Sequence, residues 1–194
     1  MMRLLRIAAW LLVPLAAAVL PALAQETRFE LAAGGQYPLL SQKFYADQDL
    51  GFHVRFGVRL SPKVTVAATY EHQSTKSAVP NWSQGDVKLK HYGLNGIFVL
   101  NGDADFQLIG LLGAGMGDVT FSNPRSPDQY LGLPDDSKIK LWYEAGVGVL
   151  FNWGKHWAGR IQVTGRQTEP KEANAIFSGT RFSFVPSLDI VLKF

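Results

Sequence analysis

Residues 188–194 have the sequence LDIVLKF, in which apolar and polar side chains alternate up to an aromatic residue. Side chains along a β-strand point to opposite faces in turn, so residues of the same parity share one face. This segment is therefore predicted to be a strand with one wholly apolar face. That face carries Leu188, Ile190, Leu192 and Phe194, and the opposite face carries Asp189, Val191 and Lys193.

The same alternation recurs along most of the chain, between stretches rich in Gly, Pro, Asn and Asp. It is clearest where Phe52, Val54 and Phe56 alternate with His53 and Arg55. We predict eight strands, at residues 27–37, 50–60, 64–73, 87–100, 104–117, 138–151, 157–167 and 181–194. Long and short connections alternate between them, which is typical of an antiparallel up-and-down barrel.

The alternation also assigns the faces of the predicted strands. In the strand at 138–151, Ile139, Leu141 and Tyr143 are predicted to face outward, and Trp142 and Glu144 inward. Aromatic residues lie near both ends of the outward faces, as in the girdles of membrane barrels. They are Phe98, Phe151, Trp153, Trp157 and Phe194 near the short turns, and Tyr37, Tyr70, Phe182 and Phe184 near the long loops.

The first residues have the pattern of a secretory signal. Arg3 and Arg6 precede an apolar run at residues 7–20, and a small-x-small site follows at residues 22–24. The alternative is a retained anchor, but the run is short for a membrane-spanning helix. We therefore predict a cleavable signal peptide at residues 1–24 and one barrel domain at residues 25–194.

Composition restricts the possible functions. The sequence has no cysteine, which excludes disulfides, thiolate-bound metals and a lipidated cysteine. The net charge is +3, and the two arginines of the predicted signal account for most of it, so nucleic-acid binding gains no support. The main alternative for the fold is a soluble eight-stranded barrel such as a lipocalin. Long apolar faces, the absence of cysteine and the aromatic Phe194 favour a membrane barrel instead.

Two glycine-rich segments resemble a known family. The sequences LIGLLGAGMG at 108–117 and EAGVGV at 144–149 are similar to strands of OmpA-like and opacity-type outer-membrane barrels. The set Leu188, Ile190, Leu192 and Phe194 resembles the signal that such barrels present to the barrel assembly machinery. The resemblance implies a monomer integral to the bacterial outer membrane, in contact with its lipid and lipopolysaccharide.

An inward-facing set of charged residues is predicted to fill the lumen. An eight-stranded barrel is only wide enough for its own side chains, and unpaired charges there would be costly. We expect a hydrogen-bonded network and a filled lumen, without assigning individual pairs. The predicted members are Glu30, Arg55, Arg59, Glu71, Glu144, Arg160, Arg166, Asp189 and Lys193.

We expect a non-enzymatic protein with an envelope-structural or surface-interaction role through its outer loops, and no cofactor or metal. A small pore for polar or amphipathic solutes is the first alternative. The second is a hydrolase, because His72, Ser74 and Asp86 are similar to the His-x-Ser plus acid arrangement of outer-membrane lipid A deacylases. This chain differs from that family in using Asp as the acid and in having Thr75 after the serine.

Overall fold

The computed structural model describes residues 28–40, 49–76, 86–101, 105–122, 136–170 and 181–194. The strands are β1 (Arg28–Gln36), β2 (Leu39–Leu40), β3 (Gly51–Ser61), β4 (Val64–Lys76), β5 (Asp86–Val99), β6 (Phe106–Ser122), β7 (Asp136–Asn152), β8 (Trp157–Pro170) and β9 (Arg181–Lys193). Among these residues, no helix has the length and apolar character needed to cross a membrane. The predicted signal peptide lies outside the described residues.

Eight long antiparallel strands form a closed barrel. Each strand pairs with the next along the chain, and β1 closes the sheet by pairing with β9. Main-chain hydrogen bonds between Phe29 and Phe194, at 2.6 and 2.9 Å, continue this closure to the end of the pair. The short β2 continues the pairing of β1 along the same edge of β9, with Leu39 opposite Phe184. The predicted eight-stranded up-and-down barrel is confirmed.

We call the end of the barrel with the short connections the turn end, and the opposite end the loop end. The turn end includes residues 62–63 and 153–156, and at the loop end β4 ends at Lys76, β6 at Ser122 and β8 at Pro170. Strands of 9 to 17 residues join the two ends. This alternation of connections matches the predicted one.

The outer surface of the barrel is apolar. Phe52, Val54 and Phe56 are exposed, whereas His53 and Arg55 between them are buried, as the alternation predicts. Aromatic side chains form two exposed bands, to which the structure adds Tyr92 and Tyr143 at the loop end and Phe106 at the turn end. Soluble proteins rarely expose a continuous apolar surface of this size to water. The outer surface is therefore suited to contact with the acyl chains of a lipid bilayer.

The predicted outward orientation of Ile139 is wrong. Its side chain is only 3% exposed, while Leu141 faces outward. The β6–β7 register shifts between Gly115 and Gly117, and the β7–β8 register shifts between Ile139 and Leu141. This β-bulge inserts one extra residue, which reverses the parity of β7 on its loop-end side.

The strands around the predicted loop at residues 118–137 are longer than predicted. β6 continues to Ser122 and β7 begins at Asp136, so this hairpin extends beyond the apolar band. β4 and β8 are longer by three residues each at the same end. Polar residues such as Asp118 and Thr120 suggested a loop, but a strand that projects out of an apolar layer can carry polar side chains outward.

The interior is arranged in layers from the turn end to the loop end. An apolar cluster lies towards the turn end and consists of Ala32, Ile97, Ile109, Leu111, Leu150, Ala158 and Val191. Charged and polar side chains occupy the middle. A second set of buried apolar residues lies towards the loop end and consists of Val87, Leu89, Val119, Ile139 and Val185.

Candidate functional site

Asp189 of β9 is the centre of one half of a buried polar network in the lumen. Its Oδ1 accepts a hydrogen bond from His53 Nε2 at 2.5 Å, and its Oδ2 accepts one from Arg55 Nη1 at 2.9 Å. Arg160 Nε and Nη2 lie 2.7 and 2.6 Å from the same oxygen. The intervening residue of β1 is Gly34, where a Cβ would lie 2.6 Å from Asp189 Oδ1, so glycine is required for this close approach.

Arg166 of β8 is the centre of the other half. Its Nη1 and Nη2 donate to the two carboxylate oxygens of Glu71 at 2.6 and 2.9 Å, in a bidentate arrangement. Its Nη2 and Nε also donate to Glu144 Oε2 at 2.6 and 3.1 Å. Glu144 lies directly opposite Arg166 in the β7–β8 pair, whereas Glu71 is on β4, four strands away in either direction. Arg166 therefore bridges the full width of the lumen.

Further contacts join and complete the two halves. Arg55 Nη2 lies 3.8 Å from Glu71 Oε1, which links the Asp189 half to the Arg166 half. Arg160 Nη1 lies 3.6 Å from Glu30 Oε1 and extends the network towards the turn end. Neutral groups also donate to these carboxylates: Gln36 donates to Glu71 Oε2 at 3.3 Å, Thr164 to Glu144 Oε2 at 3.2 Å, and Asn95 to Glu144 Oε1 at 2.6 Å.

The network is almost completely shielded from water. Side-chain exposure is at most 4% for each of its charged residues except Glu30, which is 9% exposed. Arg55, Arg160 and Arg166 supply three guanidinium groups against four carboxylates. Buried charges of this kind are tolerated only when they are paired and hydrogen-bonded. The chain can therefore fill its lumen with charge because each charged member except Glu30 has at least two partners.

Trp142 closes the network on its loop-end side. The Arg166 guanidinium lies over the indole ring, 5.0 Å from its centroid, in a cation–π contact. The indole Nε1 donates to the main-chain carbonyl of Met116 at 2.9 Å, at the bulge where the β6–β7 ladder is interrupted. Gly93 and Gly115 make room for the ring, because a Cβ at either position would lie 2.7 or 2.8 Å from it.

The structure places seven of the nine predicted lumen charges in this network and two near the turn end. Arg59 is half-buried and, with Glu30, lines a pocket of about 20 Å³ there, room for about one water molecule. Lys193 Nζ donates to Asn152 Oδ1.

Sequence reasoning missed His53, Gln36, Asn95, Trp142 and Thr164 as network members. Parity could have placed them inside the barrel, but it does not identify neutral side chains as partners of a charge.

The structure does not bring His72, Ser74 and Asp86 together. His72 and Ser74 lie on the outer face of β4, where the His72 ring packs against Phe52 with centroids 5.3 Å apart. Asp86 lies opposite Lys76, four residues further along β4 than His72, a separation of about 13 Å. Within the described ranges, no group of three or more His, Cys, Asp and Glu residues is arranged to hold a metal ion.

A family model matches residues 10–184 of this sequence, and its description is outer membrane protein beta-barrel domain. The chain belongs to this family. A comparison with curated proteins gives no match. As a member of the outer membrane protein β-barrel family, the protein is integral to the bacterial outer membrane, with its apolar surface in lipid. This agrees with the predicted family and location.

Solved structures support the same fold. Ail, the attachment invasion locus protein of Yersinia pestis, is 18% identical with a TM-score of 0.53, and the match covers 88% of this chain and 100% of Ail. Neisserial surface protein A is 13% identical with a TM-score of 0.59, covering 85% and 95%. OprG from Pseudomonas aeruginosa is 15% identical with a TM-score of 0.57, covering 87% and 96%. At these identities the likeness shows the fold alone.

Proposed function

We propose that the protein is a closed, non-conducting outer-membrane barrel with an envelope-structural or surface-interaction role at its loop end. The observation that carries this proposal is the filled lumen. A continuous water path would have to cross both the charged layer and the apolar layer beneath it. Function would then reside on the outside of the barrel and in the connections at the loop end.

The charged layer opposes permeation because its groups are already engaged with one another. Arg166 of β8 bonds to Glu144 on the neighbouring β7 and to Glu71 on β4, which lies across the lumen from β8. A passing ion would have to displace these contacts, and breaking a buried ion pair costs about 3–5 kcal/mol. The cost argues for a plug rather than for a selectivity filter.

The apolar cluster adds a second barrier beside the charged one, and Glu30 and Arg59 border it at the turn end. Ile97, Ile109, Leu111 and Leu150 are at most 7% exposed and pack together with small residues of β1, β8 and β9. A narrow apolar constriction excludes water and ions, as hydrophobic gates in channels do. Two barriers of different chemistry in series favour a closed barrel.

The loop end has the features expected of an interaction surface. At this end β6 continues to Ser122 and β7 begins at Asp136, and β4 and β8 also run past their predicted ends. Loops held on a rigid scaffold are a common location for binding residues. Ail, whose name refers to attachment and invasion, shares this architecture.

Single-channel recording tests the proposal directly. The protein without residues 1–24 is refolded in detergent, and closure of the barrel is checked by its gel mobility before and after boiling. It is then inserted into planar bilayers beside a general porin as the positive control. We expect a mobility shift on boiling and no steady conductance.

A steady conductance from protein that shows the mobility shift would overturn the closed-barrel proposal and favour the small-pore alternative. The hydrolase alternative predicts a different result: expression of the protein would alter the acylation of lipid A. Ser74→Ala should then abolish that change. We expect the lipid A acyl pattern to be the same with and without the protein.

A further inference from the structure

The register of the closed sheet fixes how steeply the strands cross the membrane. Residues that lie opposite each other, followed from Met116 of β6 through β5, β4, β3, β1, β9, β8 and β7, return to β6 at Phe106. This displacement of ten residues is the shear of the barrel, and for eight strands it corresponds to a tilt of about 40°. Each residue of a strand therefore advances about 2.5 Å along the barrel axis.

The apolar outer face has the height of a membrane on most of the barrel. On β6 it extends from Phe106 to Met116, which is about 25 Å along the axis. On β9 it extends from Phe194 to Phe182, about 30 Å. The apolar band of an outer-membrane barrel is about 25 Å tall, so both strands match or exceed it.

The apolar outer face is much lower on β4 and β5, on the side of the barrel opposite β8 and β9. On β4 it extends only from Val64 to Tyr70, about 15 Å, and on β5 from Leu100 to Tyr92, about 20 Å. Val64 directly follows the turn at residues 62–63, so the missing height is at the loop end. The outward residues beyond the two tyrosines are polar: His72, Ser74 and Lys76 on β4, and Lys90, Lys88 and Asp86 on β5.

Two of the polar groups above the tyrosines are held low on the barrel. A lysine can extend its ammonium group towards the headgroups, because its stem is long and flexible. Asp118, opposite Lys90, is instead held downwards, since its Oδ2 accepts a hydrogen bond from the Tyr92 hydroxyl at 2.6 Å. The His72 ring packs against the outward-facing Phe52, with centroids 5.3 Å apart. In a bilayer of uniform thickness, this carboxylate and this imidazole would lie among acyl chains.

A tilt of the whole barrel does not remove the difference in height. Tilting raises one side of the barrel and lowers the other, but every strand keeps the distance between the two limits of its own apolar face. A bilayer adapts to an apolar surface that is too short by becoming thinner beside it. The short face on β4 and β5 therefore requires a change in the membrane itself.

We propose that the outer leaflet is thinner beside β4 and β5 than around the rest of the barrel, by about 5 to 10 Å. The partner of this surface is a shortened layer of acyl chains, whatever headgroup the lipid carries. The proposal goes beyond the proposed function, because a closed barrel with an even apolar band would leave the bilayer uniform. It rests on the membrane position given above, with the loop end outside.

Spin labels at equal heights on opposite sides of the barrel test the proposal. The sequence has no cysteine, so single cysteines can be introduced and labelled. Leu94 of β5 and Leu188 of β9 are exposed, and each lies six residues from the turn-end limit of its apolar face, at Leu100 and Phe194. The depth of each label is measured from its relaxation by oxygen and by a water-soluble nickel complex. The refolded protein is placed in phosphatidylcholine vesicles, because a zwitterionic lipid excludes any effect of anionic headgroups.

We expect the label at Leu94 to lie about 5 to 10 Å closer to the outer headgroups than the label at Leu188. Labels at Phe98 and Leu192, two residues from the same limits, should have equal depths relative to the inner headgroups. Equal depths at Leu94 and Leu188 would overturn the proposal, because the polar side chains would then be accommodated without thinning. A difference of the same size between Phe98 and Leu192 would also overturn it, because it indicates a tilted barrel in a uniform bilayer.

A variant with a taller apolar face provides a second measurement. His72→Leu/Lys90→Leu/Asp118→Leu adds one outward apolar residue to each of β4, β5 and β6, and should reduce the depth difference by about 5 Å. Lys63→Leu/Lys155→Leu is the matched control, since it changes two exposed lysines at the turn end and should leave the difference as it is. Gel mobility before and after boiling confirms that each variant folds, and an equal response of both variants would contradict the proposal. No conductance is measured, so failure of the closed-barrel proposal would be recognised separately.

Discussion

The substitution Arg166→Met provides the strongest test of the lumen network. Methionine keeps most of the length and the apolar part of the side chain but removes the guanidinium group. The Glu71 and Glu144 carboxylates would then lose four short contacts of 2.6 to 3.1 Å. Both carboxylates are inaccessible to water, so solvent cannot replace the lost donors.

The magnitude follows from the kind of contact that is lost. A hydrogen bond to a charged group contributes about 1.5–3 kcal/mol, but contacts that share one guanidinium are not additive. Removal of one partner from a buried ion network costs about 3–5 kcal/mol. We therefore expect Arg166→Met to lower the free energy of unfolding by about 3–5 kcal/mol. Neutralising the partners as well, in Arg166→Met/Glu71→Gln/Glu144→Gln, should restore stability to within about 2 kcal/mol of the wild type.

The assay is urea unfolding of the protein in lipid vesicles, followed by the fraction that keeps the folded gel mobility. Arg59→Met is the matched control, since it removes a half-buried guanidinium near the turn end. We expect this control to cost less than about 1 kcal/mol. If Arg166→Met falls within that same range, or if the triple variant is no more stable than the single one, the network does not stabilise the barrel as inferred.

Three further substitutions test the packing of the lumen and the predicted assembly signal. Gly115→Ala should cost about 1–3 kcal/mol in urea unfolding, because its Cβ would lie 2.1 Å from the main-chain oxygen of Tyr92 and 2.8 Å from the Trp142 ring. Gly110→Ala, on the outer face with its nearest neighbour at 3.7 Å, is the control, and equal costs would contradict the packing described. Trp142→Phe should lower the free energy of unfolding by about 1–3 kcal/mol, because the main-chain carbonyl of Met116 at the bulge would lose its hydrogen-bond donor. The control is Trp157→Phe at a lipid-facing position, which should change the free energy of unfolding by about 0.5 kcal/mol or less. Phe194→Ala should reduce folded protein in the membranes of intact cells but not the yield of refolding in detergent, and an equal loss in both would count against an assembly signal.

The faces of the barrel were predictable because the side-chain period of a strand is two. Phe52 and Phe56 face outward and His53 and Arg55 inward, as their positions in the sequence require. The same rule failed at Ile139, because a bulge adds one residue and reverses the parity beyond it. Bulges depend on how two strands pair, and the sequence of one strand does not contain that information.

The members of the lumen network were partly predictable, but their pairings were not. Parity placed Arg160, Arg166 and Asp189 inside the barrel. The bond between Arg166 and Glu71, however, joins strands on opposite sides of the lumen, and it exists only when the closed sheet has one particular stagger. Formal charge does not identify His53 as a member of the network, although an imidazole N–H can donate to a carboxylate.

The contacts of Arg166 have a consequence for how the strands find their partners. If β8 slid by two residues along β7, every lipid-facing side chain would still face lipid, so the apolar alternation cannot distinguish the two arrangements. Glu144 would then face Thr164 or Thr168 instead of Arg166, and its carboxylate would be buried with no cation opposite. A displacement of about 7 Å is beyond the reach of these bonds. The charged interior therefore specifies one register of the strands, whereas the apolar outer surface is compatible with several.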